Sequence, residues 1–238
     1  MEKLKDKVAY ITGGSKGIGY AIAEALLAQG ARVAISSRDL ERADAAARQL
    51  DPGGARVLAI ASDVRDMGSE QDAVQTIINT WGRLDVLVAN AGIGKFAPIQ
   101  QMSAEDWNNV IDINLTGVFN SVKSSIAALT ESKGYIITVA SLAGTNFFAG
   151  GAAYNASKFG LVGFTQAIML DLRQSGIKTT TIMPGSVATH FNDRIPSDAD
   201  AWKIQPEDLG QIVVDLLKMH PRTLPSKVEV RPSMPPVK

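Results

Sequence analysis

The fold is decided by Lys7-Val-Ala-Tyr-Ile-Thr-Gly-Gly-Ser-Lys-Gly-Ile-Gly-Tyr20, a short apolar strand that runs into a glycine-rich turn and then a helix. Glycine lets the backbone turn tightly and approach a pyrophosphate closely. The N-terminus of the following helix offers unpaired N–H groups and a positive dipole end to phosphate oxygens. The segment therefore predicts a dinucleotide-binding unit. The alternative is a glycine-rich turn without a cofactor, since the spacing of Gly13, Gly17 and Gly19 differs from the common Gly-x-Gly-x2-Gly fingerprint.

Strand and helix patterns alternate along the whole chain. Seven apolar runs, the last of them weaker, predict strands: Val8–Thr12, Arg32–Ser36, Val57–Ala61, Val86–Ala89, Tyr135–Val139, Thr179–Met183 and Lys227–Val230. The segments between them predict helices: Gly17–Gln29, Leu40–Leu50, Ser69–Trp81, Ala104–Leu129, Ala153–Gln174 and Glu207–Lys218. Continuous apolar strands that alternate with helices indicate a parallel sheet covered on both faces. We therefore expect a doubly wound α/β fold of about seven strands in three layers, within one domain over residues 1–238.

Composition narrows the class of protein. Hydrophobic residues make up 45% of the 238 residues and charged residues 20%, as is typical of a globular protein with a sizeable core. Lys+Arg and Asp+Glu number 24 each, so no net charge draws the chain to nucleic acid or to an anionic membrane. The chain has no cysteine, which excludes disulfides and Cys-ligated zinc. We expect a cytoplasmic enzyme, because Met1–Lys7 lacks the apolar core of a signal peptide and no apolar run is long enough to cross a bilayer.

A candidate catalytic group lies in the second half of the chain. Tyr154 and Lys158 are four residues apart, so their side chains share one face of a helix. Ser141 follows the apolar run that begins at Tyr135. A cation beside a phenol favours the phenolate and lowers a pKa that starts near ~10. A tyrosine that exchanges a proton and a serine that holds an oxygen suit chemistry at an alcohol or ketone. The alternative is an exposed helical lysine near a half-buried tyrosine.

Taken together, these features resemble the classical short-chain dehydrogenase/reductase family over nearly the whole chain. Six motifs in order carry the resemblance: Thr12–Gly19, Asp63-Val64, Asn90-Ala91-Gly92, Asn114 within Asp112–Val118, the Ser141/Tyr154/Lys158 set, and Pro184-Gly185 with Val187 and Thr189. The resemblance implies an oxidoreductase that reversibly reduces a ketone with a nicotinamide cofactor. Among the subtypes, the 3-oxoacyl-carrier-protein reductases are the best single match.

The resemblance also implies a role for each matching residue. Tyr154 is the general acid in reduction, Lys158 lowers its pKa and bonds the nicotinamide ribose, Ser141 holds the substrate oxygen, and Asn114 orders a water. Hydride passes directly between nicotinamide and carbon, so no metal is expected. The resemblance, with Ser37 and Arg38 judged below, places the cofactor against Gly13, Ser15, Lys16, Gly17, Ile18, Gly19, Ser37, Arg38, Asp63, Val64, Asn90, Ala91, Gly92, Tyr154, Lys158, Pro184, Gly185, Val187 and Thr189.

The end of the second strand predicts which cofactor is used. An enzyme that prefers NAD usually has an acid there, which accepts bonds from the ribose 2′-hydroxyl. Here Ser37 occupies that position, Arg38 follows, and Lys16 adds a cation in the glycine turn. A guanidinium suits a phosphate, so NADP(H) is expected to be preferred over NAD(H). The alternative is that Arg38 is a solvated charge and Asp39 takes the ribose, although Asp39 is also well placed to cap the next helix.

The sequence leaves the substrate pocket less defined. A polar, Pro- and Asp-rich loop at about residues 189–206 is expected to border the substrate. Whether His190, Trp202, Phe147 or Phe148 line the pocket is open at this point. The two histidines of the chain, His190 and His220, have no metal-ligand spacing beside them, so no metal site is expected.

The C-terminal segment, Val228–Lys238, limits what can be inferred about the oligomeric state and the class of substrate. Many relatives end in a Gly-Gly-containing tail, which is missing here, and its absence weakens any transfer of an acyl-thioester substrate or a tetramer. The segments Ala104–Leu129 and Ala153–Gln174 are apolar around much of their circumference, which predicts a homodimer or homotetramer. The alternative is a monomer whose loops cover these helices.

Two functions remain open from the sequence. The first is a reductase of a small-molecule carbonyl compound, without nucleic-acid or membrane partners. The second is a non-catalytic dinucleotide-binding sensor or partner-binding module. Sensors built on this fold often lose the tyrosine or the lysine, whereas Asn114, Ser141, Tyr154 and Lys158 are all present here.

Overall fold

A computed structural model describes residues 4–234, apart from the side chain of residue 193. One parallel sheet has the strand order β3-β2-β1-β4-β5-β6-β7. The strands are β1 Val8–Ile11, β2 Arg32–Ser37, β3 Val57–Ala61, β4 Val86–Ala89, β5 Tyr135–Val139, β6 Lys178–Pro184 and β7 Lys227–Val230. The helices are α1 Gly17–Ala28, α2 Leu40–Leu50, α3 Met67–Trp81, α4 Ala104–Ile111, α5 Gly117–Ser132, α6 Ala152–Leu172 and α7 Pro206–Lys218. The predicted doubly wound α/β fold is confirmed.

Two apolar clusters cover the two faces of the sheet. Alternate residues of β1 belong to different clusters: Ala9 and Ile11 to one, Val8 and Tyr10 to the other. Residues of α1, α2 and α7 complete the first cluster, and residues of α3, α5 and α6 complete the second. This is the three-layer arrangement expected when a two-residue strand period meets helices on both sides.

The strand order reverses beside β1. This strand pairs in parallel with β2 on one side and with β4 on the other. In open α/β sheets, ligands bind outside the carboxyl ends of the strands at such a switch point. The glycine-rich turn after β1 and the Asn90-Ala91-Gly92 segment after β4 therefore lie side by side, at the position where a crevice is expected.

The segment Ala104–Leu129, predicted as a helical stretch, is helical throughout, but it is not one regular α-helix. After α4, a π turn over Asp112–Thr116 separates it from α5. Asn114 lies in this turn, where its Nδ2 donates to the Ile93 carbonyl at 2.9 Å and its Oδ1 accepts from the Ile93 N–H at 2.8 Å. A π turn carries one residue more than an α turn and often occurs at functional sites. The sequence pattern could not show it, because both flanking segments have an ordinary helical period.

The segment expected as a loop at about residues 189–206 contains local structure. Two short 3-10 turns lie at Phe191–Asp193 and Asp198–Asp200. An isolated parallel bridge between Val187 and Ile204 joins the two ends of the segment. The bridge holds the segment across the carboxyl ends of β6 and its neighbours. Of the C-terminal tail considered above, residues 235–238 lie outside the described residues.

Asp85 fixes the start of β4 to the start of β1. Its side chain is 4% exposed and accepts bonds from Lys7 Nζ at 2.8 Å, Val8 N at 3.0 Å and Arg83 Nη2 at 2.6 Å. Burial by itself raises the Asp85 pKa, but these hydrogen bonds outweigh it and hold the pKa below its usual value. Its stabilising contribution is therefore present above the unfolded pKa, near ~3.9, and is lost as pH falls through the folded pKa.

We expect Asp85→Asn to lower the free energy of unfolding at pH 7 by about 1–2 kcal/mol, a modest figure because the two cations are partly solvated. The difference from the wild type should shrink below about pH 4. Urea denaturation at pH 7 and pH 3 measures both. Asp6→Asn is the control, because the ion pair of Asp6 with Arg32 is long, at 3.7 Å, and exposed. A difference that does not vary with pH would contradict the assigned role of the Asp85 carboxylate.

Candidate active site

A cavity of about 1230 Å³ runs along the carboxyl ends of the strands. Most of the site residues expected from the sequence line it: Gly13, Ser15, Lys16, Gly17, Ile18, Ser37, Arg38, Asp63, Val64, Asn90, Ala91, Gly92, Ser141, Tyr154, Lys158, Gly185, Val187 and Thr189. Three of the expected residues, Gly19, Asn114 and Pro184, do not line the cavity. His190 lines it, whereas Phe147, Phe148 and Trp202 do not.

The glycine turn at one wall has the form of a phosphate cradle. Gly13 and Gly17 have positive φ angles of 65° and 58°, which favour glycine. Helix α1 starts after Lys16 with no side-chain cap, whereas Asp39, Asp66 and Ser103 cap the helices that follow them. The first N–H groups of α1 are therefore left to a ligand, as a helix that binds phosphate requires.

Asn90 holds the glycine turn against β4. Its Nδ2 donates to the carbonyl oxygens of Thr12 at 2.9 Å and Gly13 at 3.1 Å. Gly19 packs behind this contact: a Cβ there would lie 2.6 Å from Asn90 Nδ2 and 2.7 Å from Gly13 O. Gly19 thus allows the turn to close, although it does not face the cavity itself.

The cavity extends from the glycine turn to the ends of β2 and β3. Arg38 and Arg42 both line it there. Asp39 is occupied as the cap of α2, where its carboxylate accepts from Glu41 N at 3.0 Å and pairs with Arg42 Nε at 3.1 Å. This wall of the cavity therefore carries two guanidinium groups, of which that of Arg42 is paired with the Asp39 cap.

Asp63 is held by a neighbour at the same end of the cavity. Its carboxylate accepts from Arg65 Nε at 3.0 Å, and this bond is the largest cause that lowers the Asp63 pKa. Asn120 Nδ2 on α5 donates to the Val64 carbonyl at 2.8 Å and to the Arg65 carbonyl at 3.1 Å. The loop after β3 is therefore fixed before any ligand arrives.

Ser141, Tyr154 and Lys158 meet at the other end of the cavity. Ser141 follows β5, and its Oγ accepts from Ala143 N at 3.1 Å. Tyr154 and Lys158 lie on α6, with Lys158 Nζ 5.7 Å from the centroid of the Tyr154 ring. Lys158 Nζ also donates to the Val139 carbonyl at 3.0 Å, which anchors the lysine under the end of β5.

Burial dominates the protonation of this group. It raises the pKa of Tyr154 above its usual value, and a hydrogen bond with Ser141 acts in the opposite direction. Burial also lowers the pKa of Lys158 to about 8. The lowered Tyr154 pKa expected from the sequence is therefore not found, because desolvation of the phenol has the larger effect. At neutral pH, Tyr154 holds its proton.

Asn114 lies behind the catalytic group. It is fully buried, and besides Ile93 its Nδ2 reaches Ser157 Oγ at 3.1 Å. Gly92 leaves space beside it: a Cβ at Gly92 would lie 3.3 Å from Asn114 Oδ1 and 3.6 Å from Lys158 Nζ. Asn114 thus joins the π turn to α6 and to the segment after β4, next to the lysine.

The profile of a protein family described as short chain dehydrogenase matches residues 7–200. The chain belongs to the short-chain dehydrogenase/reductase family. Two relatives illustrate the range of this family. The 3-oxoacyl-[acyl-carrier-protein] reductase of Synechocystis sp. is 35% identical over 200 residues, which cover 83% of this chain and 81% of that protein. The glycine betaine reductase of Emericella nidulans is 30% identical over 245 residues and 98% of this chain, but the chain spans only 19% of that protein's length.

Solved structures of other short-chain dehydrogenases/reductases superpose closely. An alcohol dehydrogenase from the archaeon Thermococcus sibiricus, complexed with 5-hydroxy-NADP, has a TM-score of 0.91 at 26% identity, covering 98% of this chain and 100% of that one. A 3-ketoacyl-(acyl-carrier-protein) reductase from Brucella melitensis, complexed with NADH, has a TM-score of 0.88 at 26% identity, covering 97% and 98%.

As a member of the short-chain dehydrogenase/reductase family, the chain is a nicotinamide-dependent oxidoreductase that acts on alcohols and carbonyls. Among residues 4–234, no three His, Asp or Glu side chains come together as a possible metal site. Within the same part of the chain, no helix has the length and apolarity that a membrane crossing requires.

Sequence reasoning missed several residues that line the cavity of this short-chain dehydrogenase/reductase: Ser36, Arg42, Ser62, Ile93, Phe96, Phe191, Arg194 and Lys203. For some of these residues, the sequence contained evidence of a position near the cofactor or substrate. Arg42 lies in the first turn of the helix that begins just after Arg38, close in sequence to the predicted cofactor position. Phe96 follows Gly92 at the carboxyl end of β4, the edge where ligands bind. Nothing in the sequence around Phe191 distinguishes it from the other apolar residues of its loop.

Proposed function

We propose that this chain is a cytoplasmic, NADPH-dependent reductase that converts a ketone to an alcohol, reversibly. One observation supports the proposal above the others: the Ser141, Tyr154 and Lys158 side chains line the same cavity as the uncapped glycine turn. A phosphate cradle and a proton donor at opposite ends of one cavity suit hydride transfer from a dinucleotide. A 3-oxoacyl compound is one substrate candidate, on the likeness to the Synechocystis reductase.

The residues that would hold the cofactor follow from the cavity. The first turn of α1 would receive the pyrophosphate, Arg38 and Arg42 would receive the adenosine end, and Lys158 would bond the nicotinamide ribose. A bound nicotinamide supplies a hydride, two electrons with one hydrogen nucleus, to the carbonyl carbon and is left oxidised. Ser141 holds the carbonyl oxygen, and the Tyr154 hydroxyl gives it a proton. Ketone, hydride and proton together make the alcohol, and Tyr154 regains its proton from solvent.

The protonation of Tyr154 favours the reducing direction. Because its raised pKa keeps the phenol neutral near pH 7, Tyr154 is ready to donate a proton. Lys158, with a pKa of about 8, is mostly protonated at the same pH and places a positive charge near the oxygen that gains negative charge. Asn114, buried beside Lys158, is placed to order a water that returns the proton.

The preference for NADPH rests on Arg38. We expect NADPH to bind at least about tenfold tighter than NADH, a difference of about 1.4 kcal/mol. Arg38→Ala should remove most of this preference by weakening NADPH alone, because only NADPH carries the 2′-phosphate. Fluorescence titration of both cofactors measures the two dissociation constants. Arg48→Ala is the matched control, since Arg48 is an exposed arginine of α2, the helix that follows Arg38, and does not line this cavity. Equal constants for the two cofactors in the wild type would refute the assignment.

Turnover separates the reductase from a non-catalytic module. NADPH oxidation is followed with ketones, diketones and 3-oxoacyl thioesters, with Tyr154→Phe as the blank. Oxidation that depends on both the substrate and Tyr154 supports the proposed function. Tight NADPH binding without turnover on any carbonyl compound would instead indicate a dinucleotide-binding sensor or partner-binding module.

The outer faces of α4, α5 and α6 support a dimer. Large apolar side chains are exposed there: Trp107, Phe119, Phe159 and Leu170. Helices that expose aromatic side chains commonly meet a second copy across a two-fold axis. We expect sedimentation at micromolar protein to give at least twice the chain mass of 25.3 kDa, with a tetramer also open. A single species near the chain mass would show that these faces stay unpaired.

A further inference from the structure

A group of phenylalanine rings surrounds Tyr154 at the substrate end of the cavity. The ring centroid of Phe96 lies 5.4 Å from that of Tyr154, and the two rings meet edge to face at 67°. Phe191 lies 5.8 Å from Tyr154 on another side. Phe148 lies 5.8 Å behind Phe96. The three phenylalanines come from different segments of the chain, so the fold assembles this group around the proton donor.

These rings are exposed as well as close together. The exposed fractions of Phe96, Phe148 and Phe191 are 43%, 48% and 37%, and Phe96 and Phe191 line the cavity directly. Gly94 lets the two rings approach each other, because a Cβ there would lie 2.8 Å from a ring carbon of each. Exposed apolar groups that converge on one point usually mark a binding surface.

Two lysines at this end of the cavity are paired with acidic residues. Lys95 Nζ lies 3.7 Å from Asp106 Oδ1, and Lys203 forms a close ion pair with Asp200. An anionic substrate would have to compete with these carboxylates. Arg194 also lines this cavity, so the feature that distinguishes the substrate end is the flat apolar surface of the rings, which suits a planar ligand.

From this geometry we propose, as a refinement that rests on the proposed reductase function, that the substrate is a ketone whose carbonyl carries an aromatic ring. Tyr154 and Ser141 hold the carbonyl oxygen, and the ring packs between Phe96 and Phe191. Aromatic pairs prefer edge-to-face or offset contacts at the ring separations seen here. A saturated ring of equal size fills the same space but loses those contacts.

The test compares acetophenone with cyclohexyl methyl ketone, which has the same carbon skeleton without the aromatic ring. The ratio of kcat/KM for the two ketones is measured in the wild type and in Phe96→Leu and Phe191→Leu. Leucine keeps the apolar character and removes the ring. Comparing the ratio between variants cancels the different intrinsic reactivity of the two carbonyls. We expect each substitution to lower the ratio by about threefold or more through the KM for acetophenone. Phe147→Leu is the control, because Phe147 is exposed and does not line the cavity.

The test distinguishes a failure of the aromatic-substrate inference from a failure of the proposed function. A ratio that stays the same in Phe96→Leu and Phe191→Leu would overturn the aromatic-substrate inference while leaving a reductase. A fall in the ratio of the same size in Phe147→Leu would also overturn it. No NADPH oxidation by the wild type with any ketone would instead be a failure of the proposed function.

A second inference comes from a buried carboxylate at the other end of the cavity. Glu70, in the first turn of α3, is fully buried. Its Oε1 accepts from Tyr10 OH at 2.9 Å and from Ser62 Oγ at 2.6 Å. Its Oε2 has no hydrogen-bond partner among the described residues. Burying a carboxyl group against hydroxyls alone is costly, so its position calls for a role beyond stability.

Glu70 is connected to the wall of the cavity. Ser62 lines the cavity and also shares a 3.1 Å hydrogen bond with Ser69 Oγ. Ser69 Oγ in turn accepts from Asp63 N at 3.1 Å. We infer that Glu70 is a positioning residue for the adenosine end of the cofactor. It fixes the Ser62 hydroxyl and, through Ser69, the backbone that leads into Asp63 and Val64.

Two fragments of NADPH separate this role from a purely structural one. Binding of 2′,5′-ADP reports the adenosine end, and binding of reduced nicotinamide mononucleotide reports the other end. We expect Glu70→Gln to weaken 2′,5′-ADP by about threefold or more, leaving the mononucleotide and kcat at saturating NADPH unchanged. Tyr10→Phe, which removes one donor to Glu70, should have a smaller effect of the same kind.

Thr138→Val is the matched control. It removes a buried hydrogen bond between the hydroxyl oxygens of Thr138 and Thr165, which are 2.9 Å apart, and neither residue lines the cavity. It should lower the melting temperature and leave both fragment affinities unchanged. Equal weakening of both fragments by Glu70→Gln, or no weakening of either, would overturn the inference.

Discussion

Tyr154→Phe is expected to abolish carbonyl reduction while NADPH still binds. The substitution removes the only atom that gives a proton to the carbonyl oxygen in the proposed mechanism. A positioned general acid typically contributes about 10²–10⁴-fold to the rate. The phenyl ring keeps the edge-to-face contact with Phe96 and the contact with Phe191, so the pocket should keep its shape.

Binding and turnover should be measured on the same preparation. Fluorescence titration gives the NADPH dissociation constant, and absorbance gives the rate of NADPH oxidation with a confirmed substrate. Tyr20→Phe is the control, because Tyr20 lies on α1 and does not line the cavity. More than a few per cent of wild-type activity in Tyr154→Phe would show that another group donates the proton.

Lys158→Met should lower activity even with saturating NADPH, and it should also raise stability. The buried ammonium has a pKa lowered to about 8 by desolvation, and a shift of that size corresponds to a cost of about 3 kcal/mol in the folded state at pH 7. Methionine removes this cost but also the bond to the Val139 carbonyl, a loss of about 1–3 kcal/mol. We therefore expect a net gain of about 1 kcal/mol in the free energy of unfolding at pH 7.

The pH dependence has a definite sign. The folded pKa of Lys158 lies below the unfolded value near ~10.4, so between these values the unfolded state binds more protons. The stability of the wild type should rise with pH across this window relative to Lys158→Met, and the advantage of the variant should disappear. Urea denaturation at pH 7 and pH 10 measures this, with the exposed Lys123→Met as the control. A lower stability of Lys158→Met at pH 7 would mean that the contacts of the ammonium outweigh its burial.

The sheet and the glycine turn could be predicted from the sequence because they depend on local patterns. The strands Val57–Ala61, Val86–Ala89, Tyr135–Val139 and Lys227–Val230 begin and end where the apolar runs do. Because the strands pair in parallel, their carboxyl ends meet at one edge of the sheet, however the side chains pack. For this reason most of the expected site residues line one cavity, although their roles remain proposals.

The remaining features depend on contacts between distant segments. Asn114, within the π turn, bonds with the backbone of Ile93, and a helical sequence period does not indicate such a contact. The raised pKa of Tyr154 reflects burial, which the spacing from Tyr154 to Lys158 does not indicate. The ring contacts of Phe96 and Phe191 with Tyr154 likewise need the three-dimensional positions of the segments that carry them.

The π turn at Asp112–Thr116 also constrains how this protein can change over evolution. One extra residue in a helix rotates everything beyond it by about 100° relative to an uninterrupted α-helix. The number of residues in the π turn therefore determines two things. It sets the position of Asn114, and it sets the outward direction of Phe119 on α5 relative to Trp107 on α4. A single-residue deletion in this turn would displace Asn114 and would at the same time rotate the exposed face of α5. We therefore expect evolution to accept single substitutions in this turn but not insertions or deletions of residues.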